Sequence, residues 1–69
     1  MLEKYKKEHH LTNKQLADIL NLSEITVFRI IKHNKIGKKS IKAIANLLNI
    51  KEIDVYEYYK QKQLTTMFG

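Results

Sequence analysis

Cysteine and proline are both absent from this 69-residue chain, tryptophan is missing, and glycine occurs only at Gly37 and Gly69. Without cysteine there is no disulfide, and no CxxC or His-Cys cluster to hold a structural zinc. A domain this small buries only about 60% of its unfolded surface. Its stability must therefore come from helix packing or self-association. Missing cysteines also suit a cytosolic protein. No apolar run approaches the ~18 residues of a membrane span, and the charged N-terminus, Met1-Leu2-Glu3-Lys4-Tyr5, lacks a signal-peptide core. No repeat, linker or low-complexity block interrupts the chain.

Hydrophobic residues make up 43% of the sequence, enough for a core. Thirteen Lys and Arg against seven Asp and Glu leave a formal net charge of +6, a large excess for one small domain. That balance favours a polyanionic partner.

The hydrophobic pattern predicts five helices and no strand, an all-α bundle. The first spans Met1 to His10, with Leu2, Tyr5 and His9 on one face. The second is capped by Thr12 or Asn13 and carries the apolar stripe Leu16, Ala17, Ile19 and Leu20. It ends at Asn21, a residue that tolerates the left-handed backbone usually given to glycine. Ser23 caps a third helix anchored by Val27, Ile30 and Ile31, with Glu24, Ile25, Phe28, Arg29 and Lys32 on the opposite side. His33 to Lys39 reads as a basic loop, and Ser40 as the cap of a fourth helix buried through Ile41, Ile44, Ala45 and Leu48. Asn49 repeats the role of Asn21. The fifth helix runs from about Glu52 to Gln61 or beyond, its inner face expected at Ile53, Tyr56 and either Tyr59 or Lys60. Residues 1–62 form one domain, and 63–69 a tail.

A tight joint between two short helices makes demands on sequence, and Asn13 to Lys32 meets them in order. Leu16 and Leu20 are core. Ala17 is the small residue where the next helix crosses. Asn21 takes positive φ, Leu22 plugs the turn, and Val27 and Ile30 anchor the following helix. This arrangement resembles the helix-turn-helix of the phage repressor and Cro class, the XRE-like family. Ser40 to Ile50 is similar to that family's fourth helix and exit turn, so the resemblance covers Leu2 to about Tyr56. Departures are Asn21 and Asn49 in place of frequent glycines, His10 where a glycine often ends the first helix, and a loop before Ser40 without the common proline.

The resemblance implies a five-helix, lambda-repressor-like bundle that binds double-stranded DNA, as a Cro-like transcriptional repressor encoded by a bacterium or phage and acting in the cytoplasm. It places Glu24, Ile25, Phe28 and Arg29 toward base edges, with Thr26 nearby. Arg29 suits guanine O6 and N7, Glu24 suits cytosine N4, and Ile25 and Phe28 suit thymine methyl groups. Phosphate contacts are expected from Asn13, Lys14, Ser23, Lys32, Lys35, Lys38, Lys39 and Ser40. Phe28 has a competing place, packed under the His33–Lys39 loop. Proteins of this class bind palindromic sites as two-fold dimers, and Tyr56, Tyr58, Tyr59, Leu64, Met67 and Phe68 form the expected homodimer contact; the competing reading is that these tyrosines finish the monomer core and the tail is frayed.

Catalysis is not expected, nor is a metal, cofactor or small-molecule ligand. Adjacent His9 and His10 point about 100° apart on a helix, His33 lies in another segment, and no phosphate-binding glycine loop or nucleophile motif occurs. The rival reading is a protein-interaction module on the same fold: an antirepressor, antitoxin or recombination accessory factor using Ile25 and Phe28. A third is architectural DNA binding without sequence choice.

Overall fold

In a computed structural model the chain folds into five α-helices: α1 (Leu2–Glu8), α2 (Asn13–Leu20), α3 (Glu24–His33), α4 (Lys38–Leu48) and α5 (Glu52–Phe68). The structure describes residues 1–68, with side chains through residue 63, and no strand occurs among them. None of these helices is long and apolar enough to cross a membrane.

The chain leaves its first four helices without a positive-φ glycine. His10, Asn21, Asn34 and Asn49 all take positive φ, between 53° and 57°. Each turns the chain just past a helix, in the left-handed region where asparagine and histidine are enriched among non-glycine residues. After three of the four, the next amide reaches five residues back: Leu11 N–H to Lys6 O, Leu22 N–H to Ala17 O, and Ile50 N–H to Ala45 O. These bonds satisfy carbonyls that a helix end leaves open. The residue making each bond is apolar, and at Leu11 and Leu22 the same step that closes the helix brings a side chain back against the core, while Ile50 stays exposed.

Helix starts follow side-chain capping at α2 and α3. Thr12 and Gln15 form a reciprocal box: Gln15 N–H donates to Thr12 Oγ1 at 3.1 Å and Thr12 N–H to Gln15 Oε1 at 2.9 Å. Ser23 Oγ accepts from Thr26 N–H at 3.2 Å. The fourth helix differs from expectation. It starts at Lys38 with Gly37 as the cap and no side-chain cap bond, and Ile41 N–H donates to Gly37 O at 2.9 Å. Ser40 is the third helical residue, buried against the core at 5% exposure. The loop shortens accordingly, because α3 continues to His33 and Asn34 turns it.

Leu2, Leu16, Ala17, Leu20, Val27, Ile30, Ile44, Ala45, Val55 and Tyr59 form one buried cluster drawn from all five helices. Burying one large aliphatic side chain stabilises by about 1.5–3 kcal/mol, so no single helix of this size could stand without the others. Ala17 sits at 2% exposure within the cluster, in keeping with a small residue where α2 and α3 cross. Leu22, Ile31, Ile41 and Leu48 pack against its edge.

Three expected positions move. The first helix stops at Glu8, and His9 stays exposed with its ring 4.2 Å from that of Tyr5. Ile19 is 48% exposed, so the inward face of α2 is Leu16, Ala17 and Leu20. On α5 the buried residues are Val55 and Tyr59, while Ile53 and Tyr56 face outward. Residues 53–59 are apolar or aromatic nearly all round the helix, so periodicity could not select the inner side. Tertiary contacts select it. Leu2 N–H donates to Tyr59 Oη at 3.4 Å, Met1 N to Tyr58 Oη at 3.0 Å, and Gln63 Nε2 to Asn34 O at 2.6 Å. Burial pushes the Tyr59 phenol up to about 12, against the opposing effect of the Leu2 amide.

Candidate nucleic-acid interface

The joint between α2 and α3 is three residues, Asn21 to Ser23. It positions α3 by burying Val27 and Ile30 completely. With that stripe inward, the 100° step of a helix turns Glu24, Ile25, Phe28, Arg29 and Lys32 outward, and all five are exposed. Ile25 is 60% exposed and Phe28 43%. These two, with Glu24 and Asn13 from the start of α2, line an open depression of about 350 Å³. Asn13 Oδ1 is buried there and has no hydrogen-bond partner among the described residues. Phe28 also meets His33 edge-on, ring centroids 6.1 Å apart. It therefore touches the end of its own helix while keeping a broad face open.

Thr26 and Ser23 are less available than their positions suggest. Their hydroxyls lie 2.6 Å apart, and Ser23 Oγ already accepts the Thr26 amide. Thr26 is half-buried. Both side chains help hold the start of α3, and Ser23 stays exposed beside that face.

Charge is segregated along the chain. Between Glu24 and Glu52 there is no acidic residue and there are seven basic ones: Arg29, Lys32, Lys35, Lys38, Lys39, Lys42 and Lys51. All seven are exposed, as is Lys14 in the first turn of α2. Lys38 and Lys39 stand in the first turn of α4, which has no acidic residue and no side-chain cap. A helix N-terminus carries about half a positive charge and open N–H groups. Two lysines there are locally unfavourable, and an anion at that end would offset the repulsion among them. Ser40, expected beside these lysines as a phosphate contact, is turned inward and leaves the set. Gly37 gave no signal as a helix start, because Ser40 is the stronger capping residue by type.

Comparison of the chain with protein-family models, with curated proteins and with solved structures gives no significant match.

Proposed function

We propose that this protein is a sequence-specific double-stranded DNA-binding regulator, in which α2 and α3 act as a helix-turn-helix and α3 enters the major groove. The observation that carries the reading is the exposed row Ile25, Phe28 and Arg29 on a helix locked by Val27 and Ile30, inside a stretch of chain without acidic residues. On this reading Arg29 grips guanine with paired hydrogen bonds, Glu24 accepts from a cytosine or adenine amino group, and Ile25 and Phe28 lie against thymine methyls. Lys14, Lys32, Lys35, Lys38 and Lys39 hold phosphates, together with free amides at the starts of α2 and α4, and set the register. A small repressor of the Cro-like kind would act by occupying promoter DNA. Resemblance to the lambda-repressor-like class rests on the motif residues and the order of the helices.

Selection of bound duplexes from a random library tests this. The expected result is enrichment of a short motif, with binding that weakens steeply as salt rises. Failure to enrich any motif, with affinity equal across duplexes, would overturn sequence reading.

The open apolar pair Ile25 and Phe28 also supports a second reading, docking of another protein on α3. That reading predicts no duplex binding beyond weak non-specific attraction to a basic surface.

A further inference from the structure

We infer that the depression between α2 and α3 reads 5-methylcytosine: the Glu24 carboxylate takes the exocyclic amine of the base, and Ile25 and Phe28 take its methyl. The inference rests on the proposed entry of α3 into the major groove and names the base that this part of the site accepts.

Exposed apolar surface lies on two helices. On α5, where the sequence places a dimer contact, Tyr59 is core, Tyr58 is half-buried and only Tyr56 of these tyrosines is exposed. Leu64, Met67 and Phe68, also expected there, lie outside the described side chains. On α3 the apolar pair has a charged neighbour: Ile25 and Phe28 share one open depression with Glu24 and Asn13. Glu24 and Phe28 are four residues apart and Ile25 and Phe28 three apart, so both pairs are neighbours on the helix surface. Glu24 is exposed, and its carboxylate has no hydrogen-bond or ion-pair partner among the described residues. Asn13 Oδ1, in the same depression, is a second acceptor without a partner among them. The helix dipole accounts for an acid in the first turn of α3. It does not account for placing that acid against exposed isoleucine and phenylalanine.

The edges of the bases in the major groove decide what fits both features. Guanine shows two acceptors, N7 and O6, and thymine shows the acceptor O4 beside its methyl. A carboxylate repels both bases. Adenine offers a donor at N6, but its N7 is an acceptor and it has no methyl. Cytosine offers a donor at N4, yet its bare C5 leaves the apolar wall part empty. 5-Methylcytosine carries its amine and its methyl on neighbouring ring carbons, so one base serves the carboxylate and the wall together. Where Ile25 or Phe28 reaches past that base, thymine methyls at an adjoining pair remain suitable.

Selection with the full chain from two random duplex libraries tests this, one amplified with deoxycytidine triphosphate and one with its 5-methyl analogue. Duplexes of the enriched motif, with cytosine, 5-methylcytosine or thymine at each cytosine position in turn, are then compared by fluorescence anisotropy. At one position methylation of cytosine should tighten binding about fourfold, the effect of burying one methyl. Thymine there should bind about tenfold more weakly than 5-methylcytosine. Glu24→Gln should keep the methyl gain and lose the discrimination against thymine, because an amide can donate to O4. Ile25→Ala and Phe28→Ala should each reduce the methyl gain and keep the discrimination. All three positions are exposed, so the variants should keep wild-type helicity by circular dichroism. A motif in which no cytosine gains from methylation, or in which thymine binds as well as 5-methylcytosine at the responsive position, would overturn the inference and leave the DNA-binding reading standing. No motif from either library would overturn both.

Discussion

Gly37→Asp should make the protein more stable and a poorer DNA binder. Gly37 has the extended backbone that a helix cap requires, φ −110° and ψ 175°. A Cβ built there meets nothing within 4 Å, so a side chain fits without displacing a neighbour. Aspartate would accept one of the open amides at the start of α4 and face Lys38 and Lys39. Replacing a glycine cap with aspartate is worth a few tenths of a kcal/mol, and a negative charge at a helix N-terminus adds about 0.3–1 kcal/mol. A total near 1 kcal/mol raises the Tm of a domain this size by about 4–8 °C, readable by circular dichroism. The same carboxylate occupies the end of α4 where a phosphate is proposed to sit. Binding to an enriched duplex should fall about tenfold, and the slope of log K against log salt should shrink by about one. Fluorescence anisotropy at several salt concentrations measures both. A higher Tm with unchanged affinity and slope would refute the placement of α4 on the DNA backbone; an unchanged Tm would refute the reading of an uncapped helix start.

Other consequences follow from the same geometry. His10→Gly should raise stability by up to about 1 kcal/mol, because φ of 53° strains a residue with a Cβ and the gain is partly offset by glycine's unfolded-state entropy; a lower urea midpoint would contradict this. Replacing contacted thymines with deoxyuridine should weaken binding about fourfold per methyl, the equivalent of ~0.8 kcal/mol, and Phe28→Ala should remove at least part of that sensitivity. Titration to alkaline pH tests Tyr59. Its folded value is about 12 and the unfolded value about 10, so its contribution is complete below pH 10. Stability falls as pH rises through 10 to 12, because the unfolded chain releases a proton that the folded one keeps. The loss is at most about 3 kcal/mol, two pKa units at ~1.4 kcal/mol each, and Tyr59→Phe should show a smaller fall over the same window in parallel urea melts.

Much of this architecture was legible because helix ends and buried stripes obey local rules. Asn21 and Asn49 announced left-handed turns by residue type and position, and Ser23 announced the start of α3. Val27 and Ile30 fixed its inward side, which placed Ile25, Phe28 and Arg29 outside. Where two local signals competed, sequence could not choose. Ser40 outranks Gly37 as a cap, yet the short loop after Asn34 brings Gly37 to the helix start and turns Ser40 inward. On α5, apolar residues at 53, 55, 56, 58 and 59 fit more than one face. Hydrogen bonds from Met1 and Leu2, more than fifty residues away in sequence, settle which face is buried. Ile19 looked like core by composition and stands open because α2 needs only one narrow stripe.

Arg29 bears most directly on whether α3 reads bases. Binding of wild type and Arg29→Ala should be compared on the enriched duplex and on a scrambled duplex of equal length and composition. Loss of one paired guanine contact predicts a weakening of about 1–3 kcal/mol on the enriched duplex, roughly five- to 150-fold, with a much smaller change on the scrambled one. Equal losses on both, or none on either, would mean that Arg29 acts as a general positive charge or does not face DNA at all.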